Sequence, residues 1–141
     1  RKYGLSSIVR KREDTNIHKY YKGQEVKKGL FFSKKMNKEI YYDSGLELSF
    51  YNLLESSDRV KYFFDQPFKI NYTYLDSERD YYPDVLVVLD NKKIFVVEIK
   101  PVMEMGLIKN RIKWKALKVF CEEAGIGLLI TDLKSSLQEV K

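Results

Sequence analysis

Histidine and cysteine are nearly missing from this chain: its 141 residues include one of each, His18 and Cys121. A single cysteine excludes an internal disulfide and a cysteine-based zinc site, and it suits a reducing, intracellular compartment. A single histidine excludes metal motifs built on two histidines. Any metal must then be held mainly by oxygen, which points to Mg²⁺ or Mn²⁺. Long apolar runs are missing too. None approaches the ~18 residues that a membrane span needs, so no membrane association is expected. The opening Arg1-Lys2-Tyr3-Gly4 has neither a Met nor an apolar signal segment. The expectation is a cytoplasmic protein with a trimmed start. Internal repeats and low-complexity tracts are absent as well.

What is present is an ordinary globular composition, 44% hydrophobic and 33% charged, at a length that fits one domain with a real core. The net charge of +6 is unevenly spread. Residues 1–39 hold twelve Lys and Arg against Glu13, Asp14, Glu25 and Glu39, a surplus of eight, so the rest of the chain sums to −2. Residues 1–28 are polar without a clear period and read as a basic N-terminal arm, with residues 29–141 as the folded domain. Such an arm suits a polyanionic partner, most simply DNA; a solvated tail would carry the same charge. Tyr3, Tyr20, Tyr21, Phe31 and Phe32, set between the basic residues, favour a contact surface.

Pattern divides the domain into elements. Phe31 to Tyr42 reads as two short extended segments about a turn at Lys35-Met36-Asn37-Lys38. Ser44 is a good N-cap for a helix to Ser56, with Leu46, Phe50, Leu53 and Leu54 as its apolar stripe. Val60 to Phe64 is a short strand, broken at Gln66-Pro67. Phe68, Ile70, Tyr72 and Tyr74 alternate along the next. Asp76 to Asp80 reads as a turn. Tyr81 to Leu89 and Lys93 to Lys100 are strands whose apolar runs do not alternate, as expected for central strands with helices on at least one side. Asp90-Asn91-Lys92 is the turn between them. A helix is expected from about Leu107 to Ala124, burying Ile108, Ile112, Ala116, Val119 and Phe120 and stopped by Gly125 or Gly127. Leu128 to Thr131 is a further buried strand. The order gives an α/β fold, a small mixed β-sheet flanked by helices.

The hairpin carries the chemistry. A turn centred on Asn91 pairs residues whose numbers sum to 182, so Asp84 lies across from Glu98 with Cβ atoms ~5 Å apart. Lys100, two residues beyond Glu98, projects from the same face. Opposed like charges are destabilising unless a cation sits between them. A divalent ion held by Asp84, Glu98 and the Ile99 carbonyl answers that, with Lys100 to steer the attacking water and offset charge on a phosphate. A structural ion pair at a strand end is the plain alternative for Glu98 and Lys100.

Glu47 is the third candidate acid. It also completes a capping box with Ser44, which would explain it without any catalytic role. Gln66 is either a site-supporting residue or a turn residue. Lys113 on the later helix, and Lys34 and Lys35 at the end of the basic segment, are candidate DNA contacts; a solvated face is the alternative. Trp114, Tyr81 and Tyr82 read as core or rim aromatics.

Taken in order, Ser44-Gly45-Leu46-Glu47, Gln66-Pro67, Tyr82-Pro83-Asp84 and Glu98-Ile99-Lys100-Pro101 resemble the PD-(D/E)xK nuclease superfamily. They are most similar to the TnsA-type endonuclease subunit of two-component transposases. Gly29 to Tyr42 and Asn110-x-x-Lys113-x-x-Ala116 are similar to the same domain, so the resemblance spans about residues 29–132. It implies a restriction-endonuclease-like core and an active site of Glu47, Asp84, Glu98 and Lys100. It also implies Mg²⁺ or Mn²⁺ as cofactor, held by Glu47, Asp84, Glu98 and Ile99, and cleavage of DNA at mobile-element ends beside a strand-transfer subunit. Many such proteins carry a C-terminal winged-helix-like domain, whereas this chain ends soon after Ser135-Ser136-Leu137. Compact Holliday-junction-resolving nucleases, usually homodimers, share the fold and motifs and are the second reading. A non-cutting DNA-binding module on the same fold is the third.

Overall fold

A computed structural model describes Val9 and residues 28–132, and of Val102 the backbone alone. The basic arm therefore lies outside the described residues except for Val9 and Lys28, as do residues 133–141. In chain order the elements are β1 (Gly29–Ser33), β2 (Lys38–Tyr42), α1 (Gly45–Ser56), β3 (Val60–Asp65), β4 (Ile70–Tyr74), β5 (Ser77–Tyr81), β6 (Val85–Leu89), β7 (Ile94–Ile99), a 3₁₀ turn (Val102–Glu104), α2 (Ile108–Ala124) and β8 (Gly127–Thr131).

The centre is a four-stranded sheet in the order β3-β6-β7-β8. β3 with β6 and β6 with β7 pair antiparallel, and β8 joins β7 in parallel. This is the small mixed sheet flanked by helices, a restriction-endonuclease-like core, that the sequence leads one to expect. Two antiparallel ribbons, β1-β2 and β4-β5, stand beside it.

The unbroken apolar runs of β6 and β7 are explained by cover on both faces. Val85, Val87, Leu89, Val97 and Ile99 pack with α1, Ile40 and Phe63. Leu86, Val88 and Val96 pack with α2, Phe68 and Ile70. Alternate residues thus enter two separate cores, so neither face admits a polar side chain along the middle of the strands. Tyr51, absent from the expected stripe of α1, is buried beside Phe50 and Leu54. Its ring lies between Phe31 and Phe63, at 5.9 and 6.0 Å between centroids.

Three expectations are corrected. Ser77 to Asp80 is strand: β5 pairs with β4 from Ile70↔Tyr81 to Tyr74↔Ser77. The turn is only Leu75-Asp76, both at positive φ (51° and 60°), as a type I′ hairpin turn requires. The run from Tyr81 is also two strands in different sheets, interrupted at Tyr82-Pro83-Asp84, where Pro83 supplies no N–H to a ladder. The third correction concerns α2. Its buried residues are Asn110, Trp114, Leu117, Cys121 and Ala124, while Ile108 and Val119 are exposed and Ile112, Ala116 and Phe120 are only partly covered. The helix is rotated because Asn110 and Trp114 have hydrogen-bond partners inside. Gly125, left-handed at φ 72°, ends it and donates to the carbonyls of Cys121 and Glu122.

Candidate active site

Local rules bring the site together. β6 and β7 pair from Val85↔Val97 to Val88↔Ile94, the register in which paired numbers sum to 182. One step further out, Asp84 faces Glu98. Even-numbered neighbours Leu86, Val88 and Val96 enter the α2-side core, and Glu98 likewise faces α2, while Asp84 and Lys100 lie just beyond the strand ends.

The carboxylates are bound crosswise to the backbone. The Asp84 N–H donates to Glu98 Oε1 at 2.7 Å, and the Ile99 N–H donates to Asp84 Oδ2 at 2.7 Å. From α2, the Trp114 indole N–H donates to Glu98 Oε2 at 3.1 Å. Glu98 is 3% exposed, and each of its oxygens holds one N–H. Asp84 Oδ1 has no hydrogen bond among the described residues.

The electrostatics are strained in the sense that matters for a cation. Burial, then the charge of Asp84, pushes Glu98 up to about 8, against the pull of the Asp84 and Trp114 N–H groups and Lys100. Burial also raises Asp84, opposed by the Ile99 N–H, Lys100 and Lys113. Glu47 is pushed up to about 7 by burial and by the nearby Asp84 and Asp43 charges, held back by the Asp43 N–H and Lys100. Three acids thus resist ionising beside one another. Lys100 lies within range of all three, half-buried, and makes no ion pair within 4.0 Å among the described residues.

Sequence comparison adds the family. A family model described as TnsA-like endonuclease N terminal matches residues 57–132, more than half of the chain. The chain belongs to this TnsA-like family. No curated protein matches it. The matched segment of the TnsA-like domain contains Gln66, Asp84, Glu98, Lys100, Lys113 and Trp114. Glu47, Lys34 and Lys35 precede it.

The capping box at Glu47 exists. Ser44 Oγ accepts from the Glu47 N–H at 3.1 Å, and Glu47 Oε1 reaches back to the Asp43 N–H at 2.9 Å. The same first turn of α1 lies close enough for Asp84 and Lys100 to act on the Glu47 carboxyl. Its Oε2 has no hydrogen bond among the described residues, so the cap leaves one oxygen for another use. Among the described residues no group of three His, Cys, Asp or Glu side chains is gathered tightly enough to hold a metal. The oxygen-only pair of Asp84 and Glu98 nevertheless fits Mg²⁺, which is commonly held through one or two carboxylates while keeping several waters.

The remaining candidates of the TnsA-like domain divide by what they touch. Gln66 sits at φ 42° ahead of Pro67, an unfavourable conformation for that position, and its N–H donates to the Asp84 carbonyl at 2.8 Å. That bond ties the end of β3 to the site. Lys113 Nζ lies 5.0 Å from the centre of the Tyr81 ring, and the Tyr81 hydroxyl donates to the Lys113 carbonyl at 3.1 Å. Burial and Lys100 lower its pKa, while Glu98 and Asp84 raise it, so it borders the site. Lys34 is exposed on the β1-β2 turn. Lys35 is elsewhere: its ammonium donates to the carbonyls of Leu54, Ser57 and Val60, closing the end of α1, roughly 10 Å along the helix from Glu47. Trp114, read as a core or rim aromatic, is indeed in the core, and its hydrogen bond to Glu98 is what sequence reasoning missed. The available signal was its i, i+4, i+7, i+11 alignment with Asn110, Leu117 and Cys121.

Proposed function

We propose that this TnsA-like domain is a metal-dependent DNA endonuclease that hydrolyses phosphodiesters at mobile-element ends together with a transposase strand-transfer subunit. The observation that carries the reading is the pair Asp84 and Glu98, opposed across the β6-β7 hairpin and each fixed by backbone N–H groups, with Lys100 on the same edge. Asp84, Glu98 and the Ile99 carbonyl would hold Mg²⁺ or Mn²⁺, and Glu47 would add its unengaged oxygen. Such an ion supplies Lewis-acid polarisation of the phosphate and a more acidic water.

The chain's own groups do the rest. The Lys100 ammonium has no ion-pair partner to displace among the described residues, so it is available to offset charge on the attacked phosphate and to orient the incoming water. Lys113, beside Tyr81, extends the positive edge toward the neighbouring phosphate. The Gln66 backbone N–H holds the Asp84 strand end in place.

The test is incubation of purified protein with Mg²⁺ or Mn²⁺ and three substrates: supercoiled plasmid, linear duplex and a four-way junction. Metal-dependent nicking that Asp84→Asn abolishes is expected. Nicking that persists in the variant contradicts the proposal. Cutting confined to the junction moves the reading to a junction-resolving nuclease, and metal-independent DNA retention without cutting moves it to a binding module.

A further inference from the structure

We infer that Trp114 is a positioning residue that fixes the carboxylate plane of Glu98; the inference rests on the endonuclease reading above. Glu98 has three rotatable side-chain bonds and stands opposite Asp84, whose charge repels it. Left to itself, its carboxylate would turn away from that neighbour. Two donors on different elements prevent this. The Asp84 N–H holds Oε1 at 2.7 Å, and the Trp114 indole holds Oε2 at 3.1 Å. One donor on each oxygen sets the plane of the group as well as its direction.

The indole is itself packed in place. Trp114 is buried with Leu117, Cys121 and Ala124 against Leu86 and Val96, and the Tyr81 hydroxyl anchors the preceding residue's carbonyl. Asn110, one turn earlier, donates to the Glu104 carbonyl at 2.7 Å and so ties α2 to the loop that follows Lys100 and Pro101. The rotation of α2 that buries Asn110 and Trp114, with Ile108 and Val119 left outside, follows from these bonds. The helix gives up apolar burial to deliver one N–H to a buried acid. Outer hydrogen bonds of this kind commonly orient metal-binding carboxylates.

The sequence contains one tryptophan, so the contact can be read directly. In metal-free protein the indole N–H gives a single ¹H–¹⁵N resonance, which should move and exchange faster with solvent in Glu98→Ala. An unmoved resonance overturns the contact and leaves the nuclease reading standing. Trp114→Phe keeps a buried ring and deletes the donor. Calorimetric Mn²⁺ affinity and kcat for plasmid nicking should each fall by about 10- to 100-fold, with KM for DNA little changed. In a Glu98→Ala background, which has no acceptor, Trp114→Phe should cost almost no further stability in denaturant unfolding, since it acts through that carboxylate. Wild-type values in Trp114→Phe, or independent addition of the two effects, overturn the inference. Should Trp114→Phe fail to fold, benzothienylalanine at position 114, which has the indole shape without the N–H, carries the same test with the same outcomes. A wild-type protein that neither binds Mn²⁺ nor cuts DNA overturns the nuclease reading itself, a result distinguishable from a normal enzyme indifferent to the donor.

Discussion

The β6-β7 hairpin has two ends of similar composition and opposite character. At the turn, Asp90, Asn91, Lys92 and Lys93 are exposed. Their hydrogen bonds close the loop: Lys93 N–H to Asn91 Oδ1 at 3.0 Å, Lys92 N–H to the Leu89 carbonyl at 3.0 Å. Water solvates the charges there. At the open end, Asp84, Glu98 and Lys100 sit against two cores, and burial raises both acids. The same residue types are punctuation at one end and a poised site at the other, and desolvation makes the difference.

Substitutions matched between the two ends sharpen this contrast. Asp84→Asn should abolish plasmid nicking, while Asp90→Asn leaves it within about two-fold of wild type, as for surface changes generally. Next in size, Lys100→Met should lower kcat by about 10²- to 10³-fold, the scale of losing one positioned charge or donor, with Lys93→Met neutral. Equal effects at both ends, in either pair, would break the comparison.

A pH effect on metal-free stability comes third. A carboxyl raised in the folded chain keeps a proton that the unfolded chain releases, so its stabilisation is present at low pH and lost as pH rises through the folded value. With Glu98 at about 8 and Glu47 at about 7, the Tm without metal should fall between pH 5.5 and pH 8.5, and Glu98→Gln should flatten that fall. Mg²⁺ at the upper pH should restore Tm. A wild-type Tm constant over this range would contradict the strained site. The smallest effect concerns Lys35. Lys35→Met removes the donor to three carbonyls between the last turn of α1 and the start of β3, with an expected loss of about 1–2 kcal/mol in denaturant unfolding and unchanged kcat. A fall in kcat at full stability would place Lys35 in contact with DNA.

What the sequence reveals depends on how local the cause is. The hairpin register was legible because turn position and strand pairing are linked by simple arithmetic, and α1 because Ser44 and Glu47 form a nearest-neighbour cap. β5 was not, since Ser77-Glu78-Arg79-Asp80 is polar on an exposed ribbon and its Leu75-Asp76 turn lacks the usual Asn-Gly or Asp-Gly signal. The buried face of α2 was misread because hydrophobicity ranks Ile108 and Val119 above Asn110. The deciding bonds, to Glu104 and Glu98, are long-range and invisible to a periodicity. For the same reason the residues alone read Glu47 as a cap, and only the family resemblance implied its nearness to Asp84.

The central claim is that Asp84 and Glu98 together make one divalent-ion site. Calorimetric titration of Mn²⁺ into wild type, Asp84→Asn and Glu98→Gln tests it most directly. The account expects saturable binding in wild type that either substitution removes or severely weakens. Identical isotherms for all three proteins would contradict it.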